Sequence, residues 1–124
     1  MSKKILIAED DVSLAQALKM TLERENFEVF LASDGQEGLE LAKNEMPNLI
    51  LCDINMPKMG GFEMIKQLRK SAWGKNLNII ILTNFSDEQI VSEALSLKVF
   101  HYLVKSDCDL QQIADKVKRY LQDK

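Results

Sequence analysis

Cysteine, proline and histidine are scarce in this chain, which contains two, two and one of them in 124 residues. Cys52 and Cys108 form neither a CxxC pair nor any spacing typical of a metal site, so a disulfide framework and a zinc centre are excluded. Cys52 lies inside an apolar run, as small core residues do, and this cysteine usage favours a reducing cytoplasm. His101 has no partners of a catalytic triad in the pattern, and we interpret it as structural.

Long apolar runs and blocks of a single charge are also absent. No run approaches the roughly 20 residues that a membrane-spanning helix needs, and the N-terminus is too short for a signal peptide. The net charge is −3 without a basic block, which argues against direct binding of nucleic acid. The chain length is typical of one domain with a substantial core.

Five short apolar segments alternate with five segments of helical periodicity. We predict strands at Lys4–Ala8, Phe27–Leu31, Leu49–Asp53, Asn78–Leu82 and Phe100–Val104. Helices are predicted to begin after the Gly60-Gly61 pair and at the capping residues Ser13, Asp34, Ser86 and Asp109. Apolar strands joined by helices indicate a parallel sheet covered on both faces. The predicted fold is a flavodoxin-like, doubly wound α/β sheet with strand order 2-1-3-4-5.

Polar side chains gather at the carboxyl edge of this predicted sheet. The residues that follow or end strands 1, 3, 4 and 5 are Glu9, Asp10, Asp11, Asp53, Thr83 and Lys105. Two carboxylates 4 Å apart repel by about 4 kcal/mol at an effective dielectric of about 20, so such a cluster calls for a cation. Oxygen ligands without histidine or cysteine favour Mg²⁺. The charges of Asp10, Asp11 and Asp53 are then balanced by Mg²⁺ and Lys105.

This arrangement is suited to a dianionic phosphoryl group. Asp53 is the candidate nucleophile, the metal ion and Lys105 would stabilise the phosphoryl oxygens, and Thr83 offers a hydroxyl donor. Taken alone, Asp10 and Asp11 are equally typical of a helix N-terminal charge pair, and a single lysine is typical of a solvated surface. Their combination with Asp53 favours the functional interpretation.

Over essentially its whole length, the sequence resembles the receiver domain of bacterial two-component response regulators. The matching parts are the fivefold strand–helix alternation and the segments Glu9–Asp11, Asp53–Pro57, Thr83 and Tyr102–Lys105. The resemblance implies that Asp53 accepts a phosphoryl group from a sensor histidine kinase or a histidine phosphotransfer protein. It also implies that Lys105 contacts the phosphoryl group.

The same resemblance implies a metal site built on the acidic residues. Asp11, Asp53 and the Asn55 backbone carbonyl would bind Mg²⁺, and Asp10 would act through a water molecule. Together with the absence of a signal peptide, this implies a cytoplasmic signalling domain that assists only its own phosphorylation and dephosphorylation and is not otherwise an enzyme.

A conformational switch is the third implication of the resemblance. Phosphorylation would draw Thr83 inward, Tyr102 would turn from exposed to buried, and the surface of helix 4, strand 5 and helix 5 would change. We expect a receiver domain over residues 1–124 without an output domain. It would pass its signal to a downstream protein, without contacting nucleic acid or membrane, as a monomer or a weak phosphorylation-dependent dimer.

Several positions depart from the family pattern. Ser106 follows Lys105 where a proline in a cis peptide is usual, and a cis bond without proline costs about 3 kcal/mol. Asn84 follows Thr83 where a small residue is usual. Lys98 stands where glycine commonly ends helix 4, so this helix needs another C-cap.

Three alternative interpretations remain open from the sequence. They are an intermediate phosphoryl carrier in a phosphorelay, a phosphorylation-independent interaction domain, and a small Mg²⁺-dependent phosphatase. Against the phosphatase interpretation, the sequence has no second acid near the nucleophile. The residue two positions after Asp53 is Asn55, which cannot protonate a leaving group. Phe85, two residues after Thr83, is expected to shield a phosphoryl group from water and to slow its hydrolysis.

Overall fold

The computed structural model describes residues 2–84 and 87–122. Within these ranges the strands are β1 (Lys4–Ala8), β2 (Glu28–Ala32), β3 (Leu49–Asp53), β4 (Asn78–Thr83) and β5 (His101–Val104). The helices are α1 (Val12–Arg24), α2 (Gly35–Glu45), α3 (Gly61–Lys70), α4 (Glu88–Ser96) and α5 (Leu110–Gln122), and a 3₁₀ turn at Lys105–Asp107 follows β5. Every strand begins and ends within one residue of its predicted bounds. Among the described helices, none has the length and apolarity needed to cross a membrane.

The strands form one parallel sheet of order β2-β1-β3-β4-β5, which confirms the predicted topology. Successive side chains of a strand point to opposite faces, so each central strand contributes to two cores. One core packs α1 and α5 against the sheet and contains Ile7 and Leu51. The other packs α2, α3 and α4 against the opposite face and contains Leu6 and Cys52. Burial on both faces explains why these strands are apolar throughout.

Two of the predicted helix starts are confirmed. Asp34 Oδ1 accepts a hydrogen bond from the Glu37 N–H group at 2.9 Å at the start of α2. Asp109 and Gln112 form two hydrogen bonds of 2.8 Å at the start of α5. The backbone N–H group of each residue donates to the side-chain oxygen of the other. Both arrangements satisfy backbone donors that the first helical turn leaves without a partner.

The starts of α1 and α4 differ from the prediction. Asp11, and not Ser13, caps α1, because its side chain accepts a hydrogen bond from the N–H group three residues on at 3.1 Å. Asp87 caps α4 in the same way at 2.9 Å, and the predicted cap Ser86 lies outside the described residues. A carboxylate at the cap also faces the positive end of the helix dipole, which explains why aspartate serves here.

Helix α4 ends without the separate C-cap that the sequence analysis required. Lys98 itself adopts the left-handed conformation with a φ of 61°. The Val99 N–H group then donates to the Ala94 carbonyl at 2.9 Å, which closes the last turn. Glycine usually makes this closure, and a residue with a side chain is strained there by about 1–2 kcal/mol.

Arg69, in the last turn of α3, forms hydrogen bonds with the backbone at the end of α4. Its Nε donates to the Leu97 carbonyl at 2.8 Å, and its Nη1 donates to the Leu77 carbonyl at 2.9 Å. Longer hydrogen bonds reach the carbonyls of Gly74, Lys75 and Lys98. The planar guanidinium, with five donors, can serve several carbonyls at once. The α4–β5 connection is therefore attached to α3 and to the start of β4.

Substitution Lys98→Gly is expected to raise the free energy of unfolding by about 1 kcal/mol, because glycine adopts positive φ without the steric penalty of a Cβ atom. The matched control, Lys98→Ala, keeps that penalty and is expected to stay within about 0.5 kcal/mol of the parent protein. Denaturant unfolding followed by circular dichroism measures both. Equal stabilities of the two variants would contradict backbone strain at this position.

Candidate functional site

The carboxyl edge of the sheet carries the candidate site. Asp53, the last residue of β3, is paired with Leu82 of β4, and Thr83 follows directly. Ala8 of β1 is paired with Cys52, so Glu9 leaves β1 next to Asp53. Asp53 is 5% exposed and Thr83 is 2% exposed. The parallel register thus brings together residues that are distant in sequence.

Lys105, directly after β5, bridges two carboxylates at this edge. Its Nζ lies 2.6 Å from Glu9 Oε1 and 3.3 Å from Asp53 Oδ2. The Glu9 side chain is fully buried and that of Asp53 is nearly so, whereas 17% of the Lys105 side chain is exposed. The other Glu9 oxygen, Oε2, accepts a hydrogen bond from the Asp11 N–H group at 3.0 Å. Lys105 therefore reaches Asp53 as the sequence predicted, and it also forms an ion pair with Glu9.

Burial and charge shift the pKa values of this pair. Burial raises the pKa of the Glu9 carboxyl, and the Asp53 charge adds to the rise, while the Lys105 ammonium and the Asp11 N–H group oppose it. Burial by itself would lower the pKa of Lys105, but the Glu9 hydrogen bond and the Asp53 charge outweigh it, so the pKa is raised. Lys105 is therefore a firmly protonated cation at neutral pH.

The acidic cluster differs from the predicted one by a single residue. Glu9, Asp10 and Asp53 can each place one carboxylate oxygen within 4.8 Å of the others. Asp11, which the sequence analysis placed directly on the metal ion, instead uses its side chain to cap α1. Asp10, which was assigned a water-mediated role, belongs to the cluster together with Glu9.

The sequence held a signal for this shift. In β1 the side chains of Leu6 and Ala8 belong to the core on the side of α3, and those of Ile5 and Ile7 belong to the core under α1. Counting on from Ala8 makes Glu9 the first residue beyond the strand, and it is only 2% exposed. Asp11 stands immediately before the apolar-periodic residues of α1, which is the position of a cap. With three acidic residues in a row, the sequence analysis did not separate the residue that caps α1 from those that join the cluster.

The donor set of this cluster fits Mg²⁺. It consists of carboxylate oxygens from Glu9, Asp10 and Asp53, without histidine or cysteine. Three negative charges and the positive charge of Lys105 leave −2, which a divalent cation neutralises. Asp10 is exposed, so water molecules, several of which Mg²⁺ usually keeps, have access to the cluster.

The loop from residue 54 to residue 60 folds back tightly on the end of β3. The Gly61 N–H group donates to the Ile54 carbonyl at 2.8 Å, and the Asn55 N–H group points to Asp53 Oδ1 at 3.4 Å. A Cβ atom on Gly61 would lie 2.3 Å from the Asp53 carbonyl oxygen, so any other residue there would displace the backbone at the end of β3. The loop therefore keeps Asn55 beside the carboxylate of Asp53.

The residues predicted as a switch pair lie on β4 and β5. Thr83 is buried at the end of β4, opposite Val104 of β5. Tyr102 is paired with Ile81 and is 41% exposed, the outward state that the prediction requires before phosphorylation. Asn84 is exposed. Phe85, expected to slow hydrolysis, lies outside the described residues.

Two further expectations concern β5 and its end. The described residues contain no cis peptide bond, so the Lys105–Ser106 bond is trans, and Lys105 reaches Asp53 in that geometry. The ring of His101 contacts that of Tyr120 with a centroid separation of 4.3 Å, in keeping with the structural role expected for this histidine.

Comparison with known proteins identifies the same family. Residues 5–118 match the family described as response regulator receiver domain. The chain is 30% identical over 121 residues to sporulation initiation phosphotransferase F of Bacillus subtilis, covering 98% of this chain and 95% of that protein. It is 40% identical over 89 residues to the alkaline phosphatase synthesis transcriptional regulatory protein PhoP of the same species, covering 72% of this chain but only 36% of that protein.

A solved structure agrees with the sequence matches. The chemotaxis protein CheY4 of Vibrio cholerae superposes with a TM-score of 0.89 at 29% identity, covering 96% of this chain and 98% of that chain. Since the family match extends over almost all of the sequence and the fold recurs in a solved relative, the chain belongs to the receiver domains of two-component response regulators.

Proposed function

We propose that this protein is a phosphorylation-dependent signalling receiver that takes a phosphoryl group onto Asp53 from a phosphohistidine of a sensor kinase or phosphotransfer protein. The observation that carries the proposal is the bridge of Lys105 between Glu9 and Asp53, with 3.3 Å between Nζ and the Asp53 carboxylate. A nearly buried carboxylate beside a fixed cation, at the open edge of a parallel sheet, is a place where a phosphoryl group can be bound.

The transfer itself is a displacement at phosphorus. An oxygen of the Asp53 carboxylate bonds to the phosphorus atom, the bond from phosphorus to the histidine nitrogen breaks, and the imidazole leaves with its electron pair. Bound Mg²⁺ would neutralise charge on the phosphoryl oxygens. Lys105 stabilises the same oxygens as a cation that is already in place, and Thr83 supplies a hydroxyl donor at the end of the neighbouring strand.

The metal ligands in this proposal are Asp10 and Asp53, which belong to the acidic cluster, and the backbone carbonyl of Asn55, which the resemblance implies. Asp10 replaces Asp11 in this proposal, because the Asp11 side chain is engaged at the cap of α1. Glu9 is the remaining member of the cluster, and its contacts with Lys105 and the Asp11 N–H group assign it to holding the lysine.

The proposed output surface consists of α4, β5 and α5. Among the described residues with large exposed apolar side chains, Leu95, Phe100 and Tyr102 belong to this side of the molecule. Phosphorylation would draw Thr83 toward the phosphoryl group and let Tyr102 turn inward, which changes the apolar surface offered to a downstream protein or a second receiver. Both states must lie within a few kcal/mol of each other for phosphorylation to shift the population.

An intermediate phosphoryl carrier is the second candidate function. The observation that favours it is the match over 95% of the length of a relative named a phosphotransferase. A carrier would pass the group from Asp53 to a histidine phosphotransfer protein, whereas a terminal receiver would lose it to water. Mixing the phosphorylated protein with such a protein separates the two.

Incubation with acetyl phosphate and Mg²⁺ is expected to add one phosphoryl group to the protein, because Asp53 and Lys105 form the acceptor site. Intact-mass spectrometry measures the addition, which Asp53→Asn should abolish. Asp115→Asn, an exposed position on α5, is the matched control and should be phosphorylated like the parent. A protein that stays unmodified under these conditions would support the phosphorylation-independent interpretation.

The metal assignment predicts different effects for two adjacent aspartates. Asp10→Asn should weaken Mg²⁺ binding by about tenfold or more, because it removes a charged ligand. Asp11→Asn should change the affinity by less than about twofold, since asparagine caps a helix as well as aspartate. Titration calorimetry at constant ionic strength measures both. A loss at Asp11 equal to that at Asp10 would return the ligand role to Asp11.

The switch predicts a change at Tyr102 that Tyr120 does not share. The chain has two tyrosines, so ring-labelled tyrosine gives two sets of resonances. Mg²⁺ with beryllofluoride, a phosphoryl mimic, should reduce the accessibility of the Tyr102 ring to a soluble paramagnetic probe and leave Tyr120 unchanged. In Thr83→Ala the ring should stay accessible, and a Tyr102 ring that never responds would remove the switch from the proposal.

A further inference from the structure

The start of α2 contacts the loop that carries Asn55. The Gly35 N–H group donates to the Met59 carbonyl at 2.8 Å. Asp34, which is only 7% exposed, lies 3.8 Å from the Lys58 ammonium through its Oδ2 atom. These contacts join the first residues of α2 to the middle of the loop from residue 54 to residue 60. None of them is part of the acidic cluster or of the contacts made by Lys105.

Gly35 is required at this contact for space. A Cβ atom there would lie 2.5 Å from the Met59 carbonyl oxygen and 2.8 Å from Met59 Cγ. No described glycine has a positive φ, so conformational freedom is not the reason for a glycine at this position. The close approach of the α2 backbone to the loop backbone is the reason, and any side chain at this position would push the two apart.

The loop has little slack with which to absorb such a displacement. Its ends are joined by the hydrogen bond from the Gly61 N–H group to the Ile54 carbonyl. Its middle is a tight turn in which Lys58 has a φ of 63° and the Met59 N–H group donates to the Pro57 carbonyl at 2.7 Å. A shift of Met59 is therefore passed along a few residues to Asn55.

We propose that the start of α2 is a positioning element for the metal site. The contact between Gly35 and Met59 sets the path of the loop and thereby the place of the Asn55 carbonyl. This inference rests on the proposed function, in which that carbonyl is a ligand of Mg²⁺. It assigns to Gly35, which the sequence shows only as part of a turn at a helix start, a role in metal affinity.

Thermodynamic reciprocity makes the coupling measurable in both directions. If the contact between α2 and the loop favours Mg²⁺ binding, then bound Mg²⁺ must favour the contact by the same factor. Disturbing Gly35 should weaken Mg²⁺ binding, and adding Mg²⁺ to the unaltered protein should protect the Gly35 amide.

Gly38 is a matched control on the same helix. A Cβ atom there would lie 2.6 Å from Met64 Sδ, so Gly38→Ala also crowds the packing of α2 against α3. The crowded atom lies near the end of a flexible side chain in the core and not in the loop backbone. Comparing Gly35→Ala with Gly38→Ala therefore separates the effect of displacing the loop from the effect of crowding α2.

The first experiment measures Mg²⁺ affinity by titration calorimetry and thermal unfolding in EDTA for the parent, Gly35→Ala and Gly38→Ala. We expect Gly35→Ala to weaken Mg²⁺ binding by about tenfold and Gly38→Ala by less than about twofold, as displacement of one ligand implies. An affinity of Gly35→Ala equal to that of the parent, or an equal loss in both variants, would overturn the inference. A parent protein that binds no Mg²⁺ would overturn the proposed metal site and this inference together.

The second experiment uses the unaltered protein, so it does not depend on whether a variant folds. Amide hydrogen exchange is followed for Gly35 and for Ile113, whose N–H group donates to the Asp109 carbonyl in the first turn of α5. Saturating Mg²⁺ should slow exchange at Gly35 by about fivefold or more relative to Ile113, if the coupling has the usual size of such linkages. Equal changes at the two amides would overturn the inference.

Discussion

The attraction of the Lys105 ammonium to the carboxylates of Glu9 and Asp53 is the interaction on which the site depends. Carboxylates crowded at one edge of a sheet repel each other, and burial makes each charge less favourable still. Lys105, at 2.6 Å and 3.3 Å from the two groups, offsets part of that repulsion and leaves a net negative site. The remaining negative charge suits a divalent cation, and in the proposed function the site with its cation bound would accept a dianionic phosphoryl group.

The fold delivers these groups through loops that follow strands, and the helices that begin in those loops help to hold them. Asp11 and Asp34 cap α1 and α2. Asp11 also donates its N–H group to the Glu9 carboxylate, and Asp34 approaches Lys58 in the loop from residue 54 to residue 60. Asp11 thus ends its loop at a defined place and also holds the carboxylate of Glu9. This arrangement places rigid secondary structure directly behind a polar site.

The C-terminal end of α4 and the edge strand β5 are less buried than the centre of the sheet. Strand β5 has no fully buried residue, α4 has one, and the turn between them contains the strained Lys98 and is held by Arg69. Elements with few buried contacts are those that can move at low cost in free energy. Within the proposed output surface, α4 and β5 are therefore less buried than the central strands, in which every residue of β3 and every residue of β1 except Lys4 is buried.

The sequence by itself determined the element order, the strand bounds to within one residue, the parallel topology and the convergence of Asp53, Thr83 and Lys105 on one edge, because apolar strands and helical periodicity are local patterns. It did not determine which of Glu9, Asp10 and Asp11 belong to the acidic cluster and which caps α1. Three adjacent acidic residues have the same chemistry, and only the directions of their side chains differ. Nor did it determine that Lys98 would take a left-handed conformation or that Gly35 would lie against Met59. Those features were decided by the tertiary structure, because they depend on the close approach of segments that are far apart in the chain.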